Sequence, residues 1–149
     1  MALLHRLTSR WLAAAVAAGI LGAAAPVFAG NGASVDLGIR ADRSTYAAGE
    51  PLAFTVAVEN RGTQPVVLTF RTAQRFDVRI QDASGREVWR WSADRMFAQA
   101  VGEERLEPGG RRRWNVVVRE NLPAGAYTVV ASLESVNVKV SGSVGVTVR

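Results

Sequence analysis

From Ser34 onward, apolar and polar residues alternate in short runs. Val35, Leu37 and Ile39 share one face with Asp36 and Arg40 opposite, and Leu52, Phe54, Val56 and Val58 repeat the arrangement with Thr55 and Glu59 opposite. A period of two is that of a half-buried strand, because successive side chains point to opposite sides of a pleated backbone. The period returns in Val66 to Phe70, in Phe76, Val78 and Ile80, in Val88 to Trp91, and in Trp114, Val116 and Val118. It returns again in Tyr127, Val129, Ala131 and Leu133, then in Val136, Val138 and Val140, and finally in Val144, Val146 and Val148. The last two runs keep one parity across Gly142, which fits either one kinked strand or two strands joined at Ser141-Gly142-Ser143. Turn residues separate the runs at Tyr46-Ala47-Ala48-Gly49-Glu50-Pro51, Asn60-Arg61-Gly62-Thr63-Gln64-Pro65, Asp82-Ala83-Ser84-Gly85, Glu107-Pro108-Gly109-Gly110 and Leu122-Pro123-Ala124-Gly125. Beyond Ser92 the alternation breaks, so Asp94 to Gln99 is expected to be a loop or a single helical turn.

No window after Ala29 has helical period and helical length. Seven to nine short strands at roughly ten-residue spacing predict an all-β fold, an antiparallel sandwich of two sheets. In Leu122-Pro123-Ala124-Gly125-Ala126-Tyr127 the tyrosine stands where immunoglobulin-like sandwiches place a corner tyrosine, whose hydroxyl bonds back to the chain just upstream. The alternative is an ordinary inward-facing aromatic.

The first 29 residues have another character. His5, Arg6 and Arg10 precede an Ala-rich apolar run, and Val27-Phe28-Ala29 has small residues at its outer positions, the layout of a secretory signal cut after Ala29. An uncleaved membrane anchor is the competing reading. Cleavage predicts an exported protein, periplasmic or extracellular, with one domain over residues 30–149 and no stable membrane insertion. Loss of Arg6 and Arg10 lowers the formal net charge from +5 to +3. With no Cys in the chain and His5 as its only His, the remaining domain has neither thiol nor imidazole, which excludes Cys-His and Ser-His-acid catalysis and the usual Zn²⁺ ligands. No enzyme, cofactor or metal is expected.

Gln74-Arg75-Phe76-Asp77, then Gly85-Arg86-Glu87-Val88-Trp89-Arg90-Trp91-Ser92, then Met96-Phe97-Ala98-Gln99 resemble the signature of the BsuPI family, the intracellular proteinase inhibitors. Tyr46-x-x-Gly49-Glu50-Pro51-Leu52, Glu107-Pro108-Gly109 and Leu122-Pro123-x-Gly125-x-Tyr127 agree, so the resemblance spans about Asp36 to Leu133. It implies an immunoglobulin-like sandwich and inhibition of a subtilisin-type serine protease as partner. Because the N-terminus predicts export, that partner is expected outside the cytoplasm; a non-inhibitory binding module of the cell envelope is the alternative.

Exposure and chemistry nominate candidate contacts. Met96, Phe97 and Gln99 form a candidate partner-binding loop, since subtilisin-type pockets accept large apolar side chains; the competing role is a cap over an open end of the sandwich. Trp89 and Trp91 form a candidate aromatic surface, or else pack into the core. Asp77, Asp82, Glu87 and Asp94 are the acids that could serve acid-base chemistry or Ca²⁺, but they lack the alternating spacing of a calcium loop, and Asp77 and Glu87 are expected to be cross-strand partners of Arg75, Arg79 or Arg90. Arg111-Arg112-Arg113 reads as a solvated strand end, and no nucleic-acid partner is expected.

Overall fold

The computed structural model describes residues 34–149, and the expected cleavage after Ala29, with Gly30 as domain start, lies outside them. The chain forms ten strands and no helix over this range: β1 (Val35–Ala41), β2 (Thr45–Tyr46), β3 (Leu52–Asn60), β4 (Val66–Phe70), β5 (Phe76–Gln81), β6 (Glu87–Arg90), β7 (Gly102–Leu106), β8 (Arg111–Val118), β9 (Gly125–Leu133) and β10 (Ser141–Val148). Three of them make a sheet in the order β1-β3-β8, five make a second in the order β2-β10-β9-β5-β6, and β4 pairs with β7. All pairings are antiparallel except β2 beside β10. The all-β sandwich expected from the alternation is the fold observed.

The alternation also dictates the core. Leu37, Ile39, Val56, Val58 and Val118 from the first sheet and Val78, Ile80, Val129 and Ala131 from the second are fully buried, in a single cluster with their neighbours. Burying a side chain of Val, Leu or Ile size contributes about 1.5–3 kcal/mol, so a core built from both inner faces can hold the sheets together without disulfides. The corner tyrosine is real: Tyr127 is buried and its hydroxyl donates to the Pro123 carbonyl at 2.6 Å.

One pairing runs continuously through two sheets. β3 continues past a turn into β4, β7 continues past a turn into β8, and the β3–β8 and β4–β7 ladders meet at Asn60. The Asn60 backbone N–H donates to the Gly110 carbonyl at 3.0 Å, and its own carbonyl accepts from Gly109 at 2.8 Å. Its side chain, fully buried, donates from Nδ2 to the carbonyls of Gln64 (2.8 Å) and Leu106 (3.0 Å), while Oδ1 accepts from the Gly62 N–H (2.9 Å). A polar residue thus sits inside the core because it satisfies three backbone groups that the bend withdraws from the ladder.

Four local expectations are corrected. β7 falls in the stretch after Ser92 where the alternation breaks and no strand was expected, because only Leu106 of its five residues points into the core and its charges hide the strand period. Tyr46, placed in a connection, belongs to β2, which pairs with the chain end. Trp91, expected in the return strand, lies in a turn just beyond β6, although its N–H still donates to the Val78 carbonyl at 2.8 Å. Val136 and Val138 lie on the connection ahead of β10, so the strand there begins at Ser141. Asn137 fixes that connection against β4, accepting from the Thr69 N–H (2.9 Å) and donating to the Val67 carbonyl (2.7 Å).

Tyr46 carries a pH dependence. Burial and the hydrogen bond its hydroxyl donates to the Asp42 carboxylate push its pKa from 10.0 up to about 12. A phenol held protonated in the fold contributes fully below pH 10, and its contribution declines as only the unfolded chain ionises between pH 10 and about 12. Urea unfolding midpoints of the wild type should therefore fall across that window, and the difference between wild type and Tyr46→Phe should shrink with them. A constant difference would exclude the linkage.

Candidate recognition loop

The segment from Trp91 to Val101 joins β6 to β7 and has no ladder of its own, yet neighbouring strands fix it at both ends. At its start stands Asp77 of β5, a buried carboxylate. Its Oδ2 accepts from Ser92 Oγ at 2.7 Å and from Arg90 Nη1 at 3.1 Å, and its Oδ1 accepts from the Ser92 N–H at 3.2 Å. Arg90 also grips Glu87 through two nitrogens, at 2.7 and 2.9 Å. These hydrogen bonds hold the Glu87 carboxyl below its usual range and raise the Arg90 guanidinium above its own. The expected cross-strand pairing of Asp77 with Arg90 is present, whereas Glu87 meets Arg90 along its own strand, three residues away. Asp82 caps the β5–β6 turn and pairs with Arg86: it accepts from the Ser84 hydroxyl at 2.6 Å, the Ser84 N–H at 2.9 Å and Arg86 Nε at 3.2 Å, while Gly85 supplies the required φ of 83°.

Two turn bonds then coil the chain, from the Ala93 N–H to the Arg90 carbonyl (3.3 Å) and from the Arg95 N–H to the Ser92 carbonyl (3.2 Å). Arg95 folds back, with Nε donating to the Trp91 carbonyl (2.9 Å) and its guanidinium 4.4 Å above the Trp91 ring centre. At the far end the Ala98 carbonyl accepts from the Ala73 N–H at 2.9 Å. Gln99 turns inward on the loop itself, donating to the Phe97 carbonyl at 3.4 Å.

Aromatic stacking supports the middle. Phe76 is stacked against Trp91 on one side (ring centres 4.4 Å apart) and Trp114 on the other (4.9 Å), and Phe97 leans on Trp91 at 5.7 Å. Offset aromatic pairs at such distances add attraction beyond the area they bury. Trp91 is therefore a layer between core and loop. Trp89, also half-buried against the core, instead borders a separate shallow cavity of about 500 Å³ with Val88, Asp94, Leu122 and Pro123.

Of the loop's apolar residues, Val101 at its end and Met96 at its middle stand outside this support, Met96 the more fully. Its side chain is 99% exposed, whereas Phe97 beside it is half-buried. The loop thus offers a long, unbranched apolar side chain from a backbone whose neighbours are pinned, which suits insertion into an apolar pocket of a partner. The sequence marks Met96 and Phe97 as a pair; the structure gives them opposite orientations. Ser92 bounds the loop already in the sequence, but the anchors Asp77 and Ala73 are missed there as parts of it, and only the proximity of Asp77 to Arg90 across a hairpin hints at one of them.

A comparison with family models matches residues 39–138 to BsuPI, described as an intracellular proteinase inhibitor. The chain belongs to the BsuPI family. The match covers β3 to β9 and the whole loop, in agreement with the resemblance carried by the Phe76, Trp91 and Met96 blocks. The family's description as intracellular corrects the expectation of a periplasmic or extracellular protein. That expectation rests on the charge and apolar pattern of Met1 to Ala29 alone, all of it outside the described residues. Among the described residues no helix is long and apolar enough to cross a membrane.

Comparison with curated proteins finds no match. Among solved structures, the C-terminal domain of wzt is 12% identical with a TM-score of 0.54, covering 83% of this chain and 78% of that one. The sporulation control protein Spo0M of Bacillus subtilis is 15% identical with a TM-score of 0.52, covering 78% and 49%. The β-glucosidase EmGH1 of Erythrobacter marinus is 17% identical with a TM-score of 0.47, covering 78% and 15%. This BsuPI domain thus spans about half of Spo0M and a small part of the glucosidase. The likeness to wzt and Spo0M concerns the fold alone.

Proposed function

We propose that this BsuPI domain inhibits a subtilisin-type serine protease by presenting the Trp91–Val101 loop, with Met96 filling an apolar specificity pocket and Phe97 and Gln99 holding the loop in shape. The observation that carries this reading is the full exposure of Met96 between two anchored flanks. An inhibitor gains affinity when its contact loop is already ordered before binding, because little conformational freedom remains to be lost. The Asp77–Ser92 bonds and the Ala73–Ala98 bond supply that order. The domain acts by binding rather than by catalysis.

The test is a titration of subtilisin activity with the purified chain and its variants. Met96→Gly should weaken inhibition at least ten-fold, a change of about 1.4 kcal/mol in binding, while the melting temperature stays near that of the wild type. Phe97→Gly should weaken inhibition and also destabilise the fold, since its ring packs on Trp91. Wild-type inhibition by Met96→Gly would remove Met96 from the contact. A folded wild-type protein that leaves such proteases active would instead make the domain a binding module without inhibitory action.

A further inference from the structure

Among the described residues β8 is the outermost strand of its sheet, and β3 is its only ladder partner. The direction of its free backbone groups is set by the register. The Asn60 N–H bonds to the Gly110 carbonyl, and antiparallel pairing alternates residue by residue from there, so Arg112, Trp114 and Val116 turn their N–H and C=O toward β3. Arg111, Arg113, Asn115 and Val117 turn theirs to the open edge. The Arg111 carbonyl fits this direction: it accepts from the Arg112 side chain, at 2.9 Å.

The side chains of the same four residues lie on the outer face, opposite Trp114, Val116 and Val118. All four are exposed. Arg111 is paired with Glu59 at 2.8 Å, but Arg113 has no ion pair or hydrogen bond among the described residues. It lines a groove of about 480 Å³ together with Gly38, Ala57, Arg40, Arg111 and Glu59. Arg40 likewise has no ion pair among the described residues. The edge therefore combines main-chain groups that no strand pairs with one arginine, Arg113, that has no ion pair among the described residues.

We infer that β8 is a docking edge for an extended acidic segment of a partner protein, which adds as a strand and sets carboxylates beside Arg113 and Arg111. Main-chain pairing requires a peptide, and directly opposed charges on neighbouring strands attract at Cβ separations of about 5 Å. Basic residues on an exposed edge also discourage indiscriminate pairing, so the same arginines that protect the edge select an acidic occupant. This surface is distinct from the Met96 loop and does not depend on it.

A ten-residue peptide of alternating Thr and Glu, fluorescently labelled, tests the inference by anisotropy with the full chain. It should bind, and a Thr-Lys counterpart should not. Arg113→Glu should weaken binding at least ten-fold. Asn115→Pro removes an edge-facing N–H, a change an outer strand tolerates, together with the exposed bond that Asn115 Oδ1 accepts from the Thr55 hydroxyl at 3.2 Å, and should weaken binding as strongly while leaving the melting temperature within a few degrees. Equal binding of the acidic peptide by wild type and Asn115→Pro would overturn strand addition, as would its failure to bind the wild type at millimolar concentration. A concentration-dependent dimer of the wild type that Asn115→Pro abolishes would overturn it too, reassigning the edge to a second copy of the chain.

Discussion

Phe76→Ala is expected to lower stability by about 4 kcal/mol, the largest loss of any single substitution considered for this domain. Phe76 is 5% exposed and stacked on both faces by indoles whose planes lie within 28° of its own. Truncation removes the ring's buried area, opens a cavity between two rigid neighbours that cannot easily collapse, and ends both stacking contacts. In a domain of this size the melting temperature should fall by roughly 15 °C. Calorimetry measures that directly. Phe76→Leu, which keeps much of the volume but no ring, should lose about half as much. Because Trp91 joins Phe76 to Phe97, protease inhibition by Phe76→Ala should weaken even at temperatures where the variant is folded. Intact inhibition would show that the loop holds its shape without the stack.

Asn60→Ala is expected to cost about 3 kcal/mol. The side chain serves three backbone groups at the corner where β3 passes into β4, and alanine leaves the carbonyls of Leu106 and Gln64 and the Gly62 N–H to find other partners. Asn60→Asp separates the contributions. It keeps the acceptor for Gly62 but turns the donor into a second carboxylate oxygen facing two carbonyls, in a position with no exposed surface, so it should be at least as damaging as alanine. Urea unfolding of both variants measures the effect, and losses under about 1 kcal/mol would mean that water replaces the side chain at the corner.

The sandwich was legible because most strands bury one face and leave the other in water. That signal located β1, β3, β5, β8 and β9 from their alternating Val, Leu, Ile and Phe, and the Pro-Ala-Gly approach to Tyr127 located the corner. Where a strand is held chiefly by backbone pairing the signal fades. β7 offers Leu106 alone, and β2 offers Tyr46 alone. Conversely Val136 and Val138 keep a strand period on a segment fixed by Asn137, whose side-chain bonds to β4 leave no trace in hydropathy. The loop was legible as a break in period, and Met96 and Phe97 as its apolar pair. Its support was not, since Asp77, Ala73 and Phe76 lie 15 or more residues upstream of the groups they hold and meet them only through pairing. Asn60 is a further case: the sequence presents a turn residue, and the folded ladder makes it a buried one.

The anchoring of the Trp91–Val101 loop also governs the fate of the molecule after a break in it. Were the bond between Met96 and Phe97 hydrolysed, the new carboxyl end would remain tethered through Ser92 to Asp77, and the new amino end through Ala98 to Ala73 and through the Phe97 ring to Trp91. Neither end belongs to a fragment that can diffuse away, because β5, β6 and β7 are secured elsewhere by their own ladders. Held close together, the two ends meet at an effective concentration far above that of free peptides, so resealing competes with their separation. A nick at this site would leave the molecule in one folded piece.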